Sequence, residues 1–421
     1  MIILIVGSGA REHAVARALK SDRAVSELHA MPGNPGISDI ATVHGGDPMD
    51  GAAVATLASR LRANLVVVGP EAPLVAGVAD AVRAAGIPVF GPSAAAAMLE
   101  GSKAFAKEVM SAAKVPTAQA RVCATRSELS MALAKFGAPH VVKDDGLAAG
   151  KGVVVTSDRE EALAHGDAIL AAGGVVVVEE FLDGPEVSLF CICDGATVVP
   201  LQPAQDFKRA YDGDAGPNTG GMGAYSPLPW APPGLIEEVL RTVAQPTVDE
   251  MARRGTPFSG VLYCGLALTS RGVRVVEFNA RFGDPETQVV LARLTTPLAS
   301  VLLSSAKGTL SGLPALQWRD EAAVTVVIAA HGYPADPRSG DPITGLYDAN
   351  AERGVHVLHA GTSRDDAGAL IATGGRVLSV VGVGDGLAAA RERAYAGVAH
   401  IELAGSHYRS DIALTAAGAV R

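Results

Sequence analysis

The regular alternation of apolar strands with helical segments in residues 1 to about 100 most constrains the fold. Short apolar strands, each followed by a glycine-containing turn, are predicted at residues 2–6, 65–68 and 87–90. The first turn leads into a helix predicted at residues 10–20. Strands that alternate with helices pair in parallel, so this pattern predicts a doubly wound parallel sheet. Ligands of such sheets meet the loops after the strands, here residues 7–13, 32–34 and 69–73.

Further along the chain, three polar residues follow an apolar run at a spacing of two. Residues 273–276 have strand character, and Glu277, Asn279 and Arg281 leave one face if the strand continues. A carboxylate and an amide oxygen are hard ligands, suited to Mg²⁺ that bridges nucleotide phosphates. An arginine beside them can stabilise charge on a phosphoryl group in transfer. The alternative is a solvated strand end.

Length and charge narrow the class of protein. A chain of 421 residues is too long for one core and predicts about two to four domains. The 35 Lys and Arg residues against 44 Asp and Glu residues give a net charge of −9. A chain this acidic, without a basic run, is not expected to bind nucleic acid.

Cysteines and the N-terminus point to a reducing compartment. No second Cys pair or His pair stands at zinc spacing, so we interpret the four cysteines as reduced core residues: Cys123, Cys191, Cys193 and Cys264. The apolar residues 1–7 lack the features of a signal peptide, and no stretch predicts a membrane span. We therefore expect a soluble, cytoplasmic protein.

A glycine-rich turn lies inside a small α+β unit predicted at residues 115–185. Strands at 141–143 and 152–156 flank Gly146 to Gly152, which differs in spacing from a Walker A loop and has glycine after Lys151. The pattern indicates a β-hairpin tip that folds over phosphates as a lid. An ordinary hairpin with an exposed lysine is the alternative.

Two further segments have polar patterns. Glu179-Glu-Phe-Leu182 ends a strand predicted at residues 175–181, where backbone groups and carboxylates could bind adenine and ribose. Residues 213–229 form a long, turn-rich segment, and loops of this length are usually functional or disordered. The alternatives are a polar strand end and a solvated loop.

The first turn has only part of a dinucleotide fingerprint. Gly7 and Gly9 match the motif, but Glu12 stands at the third glycine position, which disfavours a nicotinamide cofactor. Backbone amides at a helix N-terminus can still bind a phosphate, with Arg11 and His13 beside them. A structural turn is the alternative.

Taken together, these segments resemble the phosphoribosylamine–glycine ligase family of the ATP-grasp superfamily over essentially the whole chain. The matching segments are residues 7–13, 32–34, 68–74, 101–105, 145–152, 216–226 and 281–288. The resemblance implies an α/β protein with an ATP-grasp fold, an N-terminal doubly wound parallel-sheet domain and a small C-terminal α+β domain. The implied boundaries are residues 1–101, 102–320 with a lid at 115–185, and 321–421.

The resemblance also implies a reaction. ATP, glycine and 5-phosphoribosylamine would give ADP, phosphate and N1-(5-phosphoribosyl)glycinamide, the second step of de novo purine synthesis. Glycine would attack the γ-phosphate to form glycyl phosphate, and the amine would then displace phosphate. The implied ligands are ATP, Mg²⁺ or Mn²⁺ and the two small substrates. No nucleic acid or membrane partner is expected, and the expected state is a monomer.

Roles carried over by position fall into four groups. The residues expected at ATP are Lys103, Lys143, Lys151, Glu179, Phe181, Leu182 and Glu186. Those expected to bind metal are Glu277 and Asn279, and those expected to be catalytic are Arg281 and Lys151. Those expected at glycine, the intermediate or phosphoribosylamine are Gly9, Arg11, Glu12, His13, Asn34, Glu71, Asp206, Lys208, Gly221, Arg281 and Asp284.

Three positions depart from the family pattern, and three other functions stay open. Asp144 puts an extra carboxylate near a phosphate-binding lysine, Phe207 stands where histidine is expected, and Ala280 stands where cysteine is common. The alternatives are another ATP-grasp ligase or carboxylase, an NAD-dependent oxidoreductase, and a non-catalytic nucleotide sensor.

Overall fold

The computed structural model describes residues 1–147 and 152–418. The strands are β1 (Ile2–Gly7), β2 (Glu27–Pro32), β3 (Thr42–Val43), β4 (Leu65–Val68), β5 (Val89–Phe90), β6 (Ala120–Cys123), β7 (His140–Asp144), β8 (Val153–Thr156), β9 (Val176–Glu179), β10 (Glu186–Asp194), β11 (Val198–Pro200), β12 (Gln205–Asp206), β13 (Arg209–Tyr211), β14 (Ala215–Asn218), β15 (Gly223–Ser226), β16 (Ser259–Thr269), β17 (Gly272–Asn279), β18 (Ala322–Ala329), β19 (Ile343–Thr344), β20 (Val355–His359), β21 (Thr362–Arg364), β22 (Leu370–Ala372), β23 (Arg376–Gly384) and β24 (Glu402–Leu403).

The helices are α1 (Ala10–Lys20), α2 (Pro35–Ser38), α3 (Gly51–Leu61), α4 (Glu71–Val75), α5 (Val78–Ala84), α6 (Ala94–Gly101), α7 (Lys103–Ala112), α8 (Arg126–Phe136), α9 (Arg159–Ala171), α10 (Leu235–Val239), α11 (Gln245–Arg253), α12 (Glu286–Arg293), α13 (Leu298–Lys307), α14 (Leu346–Ala351), α15 (Gly386–His400) and α16 (Leu414–Gly418). A π-helical turn at Leu240–Ala244 joins α10 to α11.

The N-terminal region is the predicted doubly wound parallel sheet. Its strand order is β3-β2-β1-β4-β5, and every neighbouring pair is parallel. Leu4 and Val6 of β1 pack into one hydrophobic cluster, and Ile3 and Ile5 pack into another. Both faces of the strand are therefore buried, which explains its unbroken apolar sequence.

A four-stranded antiparallel sheet in the order β6-β9-β7-β8 follows, and α8 and α9 pack against it. β7 and β8 form a hairpin in which Lys143 pairs with Val153, so the predicted hairpin is confirmed. Residues 148–151 of its tip lie outside the described residues. β9 ends at Glu179, two residues before the predicted end of that strand.

The central antiparallel sheet, in the order β11-β10-β16-β17, carries the polar residues at positions 277 and 279. Gly265 pairs with Glu277 and Leu266 pairs with Val275, so Val276 is an extra residue in β17. This bulge turns the backbone carbonyl of Val276 out of the ladder, where a side chain can reach it. The strand ends at Asn279, and Arg281 follows it.

Residues 213–229, predicted as a long, turn-rich segment, contain two short strands that the prediction did not include. β14 forms a local hairpin with β13, and β15 enters the C-terminal sheet, whose order is β12-β15-β18-β23-β20. β15 pairs with β18, which lies far along the chain, so no local pattern predicted this strand. α15 packs against β18 and β23 on this sheet.

Two class-level expectations can be compared with the fold. All four cysteines are free and buried, as interpreted from their spacing. In the part of the chain covered by residues 1–147 and 152–418, no helix is long and apolar enough to cross a membrane.

Candidate active site

A buried carboxylate between two lysines lies where α7 meets the hairpin sheet. Glu179 ends β9, and its Oε2 is 2.9 Å from Lys143 Nζ while its Oε1 is 3.0 Å from Lys107 Nζ. Lys143 also donates to the bulge carbonyl of Val276 at 3.2 Å. The bulge therefore ties β17 to the lysine predicted to bind phosphate.

Lys103 opens α7 beside the stem of the glycine-rich turn, and its Nζ donates to the carbonyl of Gly146 at 3.0 Å. Asp145 accepts from the Ala104 N–H at 2.6 Å, which satisfies an amide at the helix N-terminus. Asp144, the departure noted above, accepts from the Gly146 N–H at 3.1 Å. The predicted lid is therefore anchored to the helix that carries Lys103, while Lys151 lies outside the described residues.

Glu277 and Asn279 project among cationic side chains. Burial alone would raise the pKa of Glu277, but Lys208, Lys143 and Lys103 hold it below its usual value. Within residues 1–147 and 152–418, neither side chain makes a hydrogen bond to the protein. An ionised carboxylate and an amide oxygen with open positions fit Mg²⁺ or Mn²⁺ whose other ligands are phosphate and water.

Arg281 is held by two carboxylates from the N-terminal region. Its Nη2 is 2.9 Å from Glu100 Oε1, and its Nε donates to Glu71 Oε2 at 3.2 Å. Glu100 also accepts from the Ala280 N–H at 2.7 Å, so it fixes both the backbone and the side chain at this corner. Burial raises the pKa of Glu100, and Arg281 opposes that rise.

Glu12 fills the space that a third glycine leaves open in dinucleotide-binding proteins. Its Oε2 accepts from the Gly9 N–H at 2.6 Å, and its Oε1 is 2.5 Å from Arg11 Nε. A Cβ on Gly69 would lie 2.2 Å from Glu12 Oε1, so position 69 requires glycine. Because the protein's own carboxylate occupies this helix N-terminus, the structure argues against the oxidoreductase hypothesis.

Asp284 links the first helix to the C-terminal sheet. It accepts from the Arg11 N–H at 3.3 Å, and its Oδ1 is 3.2 Å from Arg376 Nη1. Arg376 also donates to the carbonyl of Gly220 at 2.6 Å. Gly221 has φ +107°, and a Cβ there would lie 2.4 Å from Pro285 Cδ, so only glycine fits against this corner.

His13 and Asn34 lie against the end of β20. The His359 N–H donates to His13 Nδ1 at 2.9 Å, and Asn34 Nδ2 donates to the His359 carbonyl at 2.8 Å. Burial lowers the pKa of His13 to about 3 and that of His359 to about 4. Both rings are therefore neutral near neutral pH, and the two predicted substrate residues join the N- and C-terminal regions.

A second acidic and basic group lies on the far side of Glu277. Lys208 Nζ forms an ion pair with Glu186. Burial lowers the Lys208 pKa, but Glu186 and Asp206 outweigh it and raise the pKa well above its usual value. Burial raises the pKa of Asp206 to about 7, against the effect of Lys208. The structure thus brings a readily protonated carboxyl close to the proposed metal ligands.

A buried polar network lies next to Asp206 and Lys208. Glu286 Oε1 accepts from Ser188 Oγ and from Tyr263 Oη, each at 2.9 Å. All three side chains are buried. Burial raises the pKa of Tyr263, so the phenol stays protonated and donates to the carboxylate.

Arg409 anchors the segment that carries Asp206 and Lys208. Its guanidinium donates twice to Asp411, at 2.8 and 2.7 Å, and once to Asp214 at 2.7 Å. The same group lies 4.9 Å from the ring centroid of Phe207. The aromatic ring at position 207, where the family pattern predicts histidine, therefore packs against a buried arginine.

The predicted residues that the structure describes thus fall into one continuous region. Phe181 is exposed and Leu182 half-buried just after β9, and Lys151 is outside the described residues. Sequence reasoning missed several side chains in this region: Glu100, Lys107, Arg376 and Arg409. A signal existed for Lys107, which lies one helical turn after Lys103 and so shares its face.

Family models match nearly the whole chain. The N domain of phosphoribosylglycinamide synthetase matches residues 1–100, its ATP-grasp (A) domain matches 101–287, and its C domain matches 323–415. Phosphoribosylamine–glycine ligase from Streptomyces coelicolor is 66% identical over 100% of both chains. The enzyme of that name from Leifsonia xyli is 59% identical over 99% of this chain and 100% of its own.

Solved structures agree with these matches. The crystal structure of phosphoribosylamine–glycine ligase from Thermotoga maritima superimposes with a TM-score of 0.84 at 34% identity, covering 98% of this chain and 100% of that one. A biotin carboxylase domain from Hydrogenobacter thermophilus gives a TM-score of 0.73 at 18% identity, over 97% of this chain and 91% of that one. The second likeness shows the ATP-grasp fold alone.

Proposed function

The chain belongs to the phosphoribosylglycinamide synthetase family, and from this premise we propose that it ligates glycine to 5-phosphoribosylamine with ATP. The products are N1-(5-phosphoribosyl)glycinamide, ADP and phosphate, in the second step of purine synthesis. One observation carries the assignment beyond the family match. The ionised Glu277, at the end of the central sheet, is surrounded by four cationic side chains: Lys103, Lys143, Lys208 and Arg281.

This arrangement suits phosphoryl transfer because little covalent work falls to the protein. A nucleotide triphosphate brings several negative charges, and fixed cations around its γ-phosphate stabilise the charge that develops during transfer. The glycine carboxylate attacks that phosphorus to give glycyl phosphate and ADP. The amine of phosphoribosylamine then attacks the acyl carbon and displaces phosphate.

We assign the nucleotide to the groove between α7 and the hairpin sheet. Lys103 and Lys143 bind its phosphates, and the strand-end backbone at Phe181 and Leu182 binds adenine beside Glu179. Glu186 accepts from the ribose hydroxyls. A contribution of Lys151 to the same phosphates, and its catalytic role, remain predictions from the sequence.

The substrates are assigned to the two sides of Arg281. Asp206, Lys208 and the turn at Gly221 hold glycine or the acyl phosphate. The side toward the parallel sheet is assigned to phosphoribosylamine, through Gly9, Arg11, Glu12, His13, Asn34, Glu71 and Asp284. Because Arg281 lies between both groups, it is suited to contact the transferring phosphoryl group.

Glu277 and Asn279 would hold the divalent cation, Mg²⁺ or Mn²⁺. When bound, the ion would neutralise charge on the nucleotide phosphates. A cytoplasmic location, a monomeric state and domain boundaries at 101–102 and 320–321 accompany this proposal as predictions.

The test is ADP formation with each substrate omitted in turn. ADP should form at the full rate only when ATP, glycine, phosphoribosylamine and Mg²⁺ are all present. Bicarbonate in place of glycine distinguishes a carboxylase of the same fold. Turnover with bicarbonate, or full turnover without phosphoribosylamine, would refute the proposed reaction.

A further inference from the structure

The three lysines near the nucleotide site differ in how many N–H donors they use within the protein. An ammonium group has three donors. Lys107 uses three, to Glu179 Oε1 at 3.0 Å, Thr117 Oγ1 at 2.9 Å and the Ala118 carbonyl at 3.2 Å. Lys107 therefore has no donor left for a ligand.

Within the described residues, each of the other two lysines has at least one N–H donor that makes no hydrogen bond to the protein. Lys143 uses two, to Glu179 Oε2 at 2.9 Å and to the Val276 carbonyl at 3.2 Å. Lys103 uses one, to the Gly146 carbonyl at 3.0 Å. Donors for a phosphate thus remain on Lys143 and Lys103.

Glu179 competes with the nucleotide for Lys143. Its side chain is buried, so its negative charge is poorly screened by water and attracts any nearby cation strongly. Lys107 supplies an opposite charge to one carboxylate oxygen. Without Lys107, both oxygens of Glu179 would be left to Lys143 alone, and the pair would carry no surplus positive charge toward a phosphate.

We propose that Lys107 is a positioning residue of the ATP site, which neutralises Glu179 and thereby keeps Lys143 available to the nucleotide phosphates. The inference rests on the proposed function, in which Lys143 binds phosphate. It assigns Lys107 no contact with ATP. Lys107 lies one helical turn after Lys103 on α7. The same helix therefore carries Lys103, which binds phosphate directly, and Lys107, which acts on phosphate binding through Glu179 and Lys143.

The experiment compares the affinities for a non-hydrolysable ATP analogue and for adenosine by calorimetric titration. In Lys107→Met the affinity for the analogue should fall at least about tenfold, as expected when one partner of a buried charge pair is removed. The affinity for adenosine, which lacks phosphates, should change less than about twofold. A merely structural disturbance of the groove would weaken both ligands alike.

The double variant Lys107→Met/Glu179→Gln removes both charges of the Lys107–Glu179 pair and leaves Lys143 without a facing carboxylate. It should bind the ATP analogue more tightly than Lys107→Met does, because Lys143 no longer faces an uncompensated carboxylate. If Lys107→Met fails to fold, the double variant is compared with wild type instead. Its affinity for the analogue relative to that for adenosine should then match the wild-type ratio, because the two removed charges cancel each other. Lys307→Met, at an exposed lysine at the end of α13, is the matched control.

Two results would overturn the inference. Equal loss of adenosine and analogue binding in Lys107→Met would give Lys107 a structural role only. So would a double variant that binds the analogue no better than Lys107→Met or, where Lys107→Met does not fold, one that falls below the wild-type ratio of analogue to adenosine affinity. Lys143→Met tests the underlying proposal separately. If Lys143→Met binds the ATP analogue normally, the proposed phosphate site fails, whereas a defect in Lys143→Met without one in Lys107→Met refutes only the role of Lys107.

Discussion

Replacing Arg409 with methionine should loosen the segment that carries Asp206 and Lys208. The guanidinium is 1% exposed and is the meeting point of Asp214, Asp411 and the ring of Phe207. Methionine preserves much of the apolar stem and removes the charge and all donors. The change therefore isolates the polar anchor from simple loss of packing.

The contacts set the size of the effect on the free energy of unfolding. A hydrogen bond to a charged group contributes about 1.5–3 kcal/mol, and the paired bonds to Asp411 are of this kind. Asp214 is 70% exposed, so its pair with Arg409 adds only about 0–1 kcal/mol. We expect a loss of about 3 kcal/mol for the unit that contains this segment.

The loss should depend on pH in a defined direction. Burial alone would raise the pKa of Asp411, but its bonds to Arg409 and the Gly213 N–H lower it below its usual value. A carboxylate with a lowered pKa in the fold stabilises it above the unfolded pKa of about 3.9, and this stabilisation is lost as pH falls further. The difference between wild type and Arg409→Met should be full at neutral pH and shrink below about pH 4.

Urea unfolding followed by tryptophan fluorescence measures this loss, and one of the two tryptophans lies near the segment itself. Trp230 donates to the hydroxyl of Tyr225 at 2.7 Å, and Tyr225 lies beside Phe207. In kinetics, the KM for glycine should rise by up to about tenfold, because misplaced binding groups hold their substrate less well. The KM for ATP should rise less. Arg353→Met, at an exposed arginine, is the control. Unchanged unfolding together with an unchanged KM for glycine would refute the anchoring role of Arg409.

Three other predictions follow from the site. Glu277→Ala and Asn279→Ala should each lower kcat at least about a hundredfold with little change in unfolding, because a hard metal ligand is lost; near-normal kcat at saturating Mg²⁺ would remove the metal assignment. Arg11→Ala should raise the KM for phosphoribosylamine more than that for ATP, because Arg11 lies at α1, away from the nucleotide lysines; equal rises in steady-state kinetics would contradict this. His13 and His359 have pKa values lowered to about 3 and about 4, so they favour the folded state above their unfolded pKa of about 6.5, and this contribution is lost as pH falls from there to about 4. His359→Gln should make stability less dependent on pH over that interval in urea titrations, and an unchanged pH profile would exclude His359 as a source.

Local patterns in the sequence were sufficient for the parallel sheet and for placing Glu277 and Asn279 on one face of a strand. The apolar runs at β1 and β4 needed only their neighbours to be recognised, and Glu277 and Asn279 share a face through simple strand periodicity. The Val276 bulge could not be predicted, because an extra residue in a strand is defined only against its partner.

The partners of the predicted site residues could not be predicted either, because they too are defined by contacts between distant parts of the chain. Glu100 binds Arg281, and Arg376 binds Asp284, across long separations in sequence. A charged residue on a helix or strand shows no local sign of the counterion that it will meet. Phe207, where the family pattern has histidine, is an example. Its ring packs against the guanidinium of Arg409, and nothing in the local sequence indicated that contact.

The placement of β15 between β12 and β18 affects the order in which parts of the chain fold during synthesis on the ribosome. The parallel sheet of residues 2–90 contains all of its strands early and can form while synthesis continues. The strand at Gly223–Ser226, by contrast, waits for residues 322–384 to supply its sheet, and Lys208 and Gly221 wait with it. A nascent or truncated chain that ends before residue 322 would present an unpaired strand edge, a surface prone to aggregation. The parallel sheet can thus fold before the segment proposed to hold glycine reaches its final position.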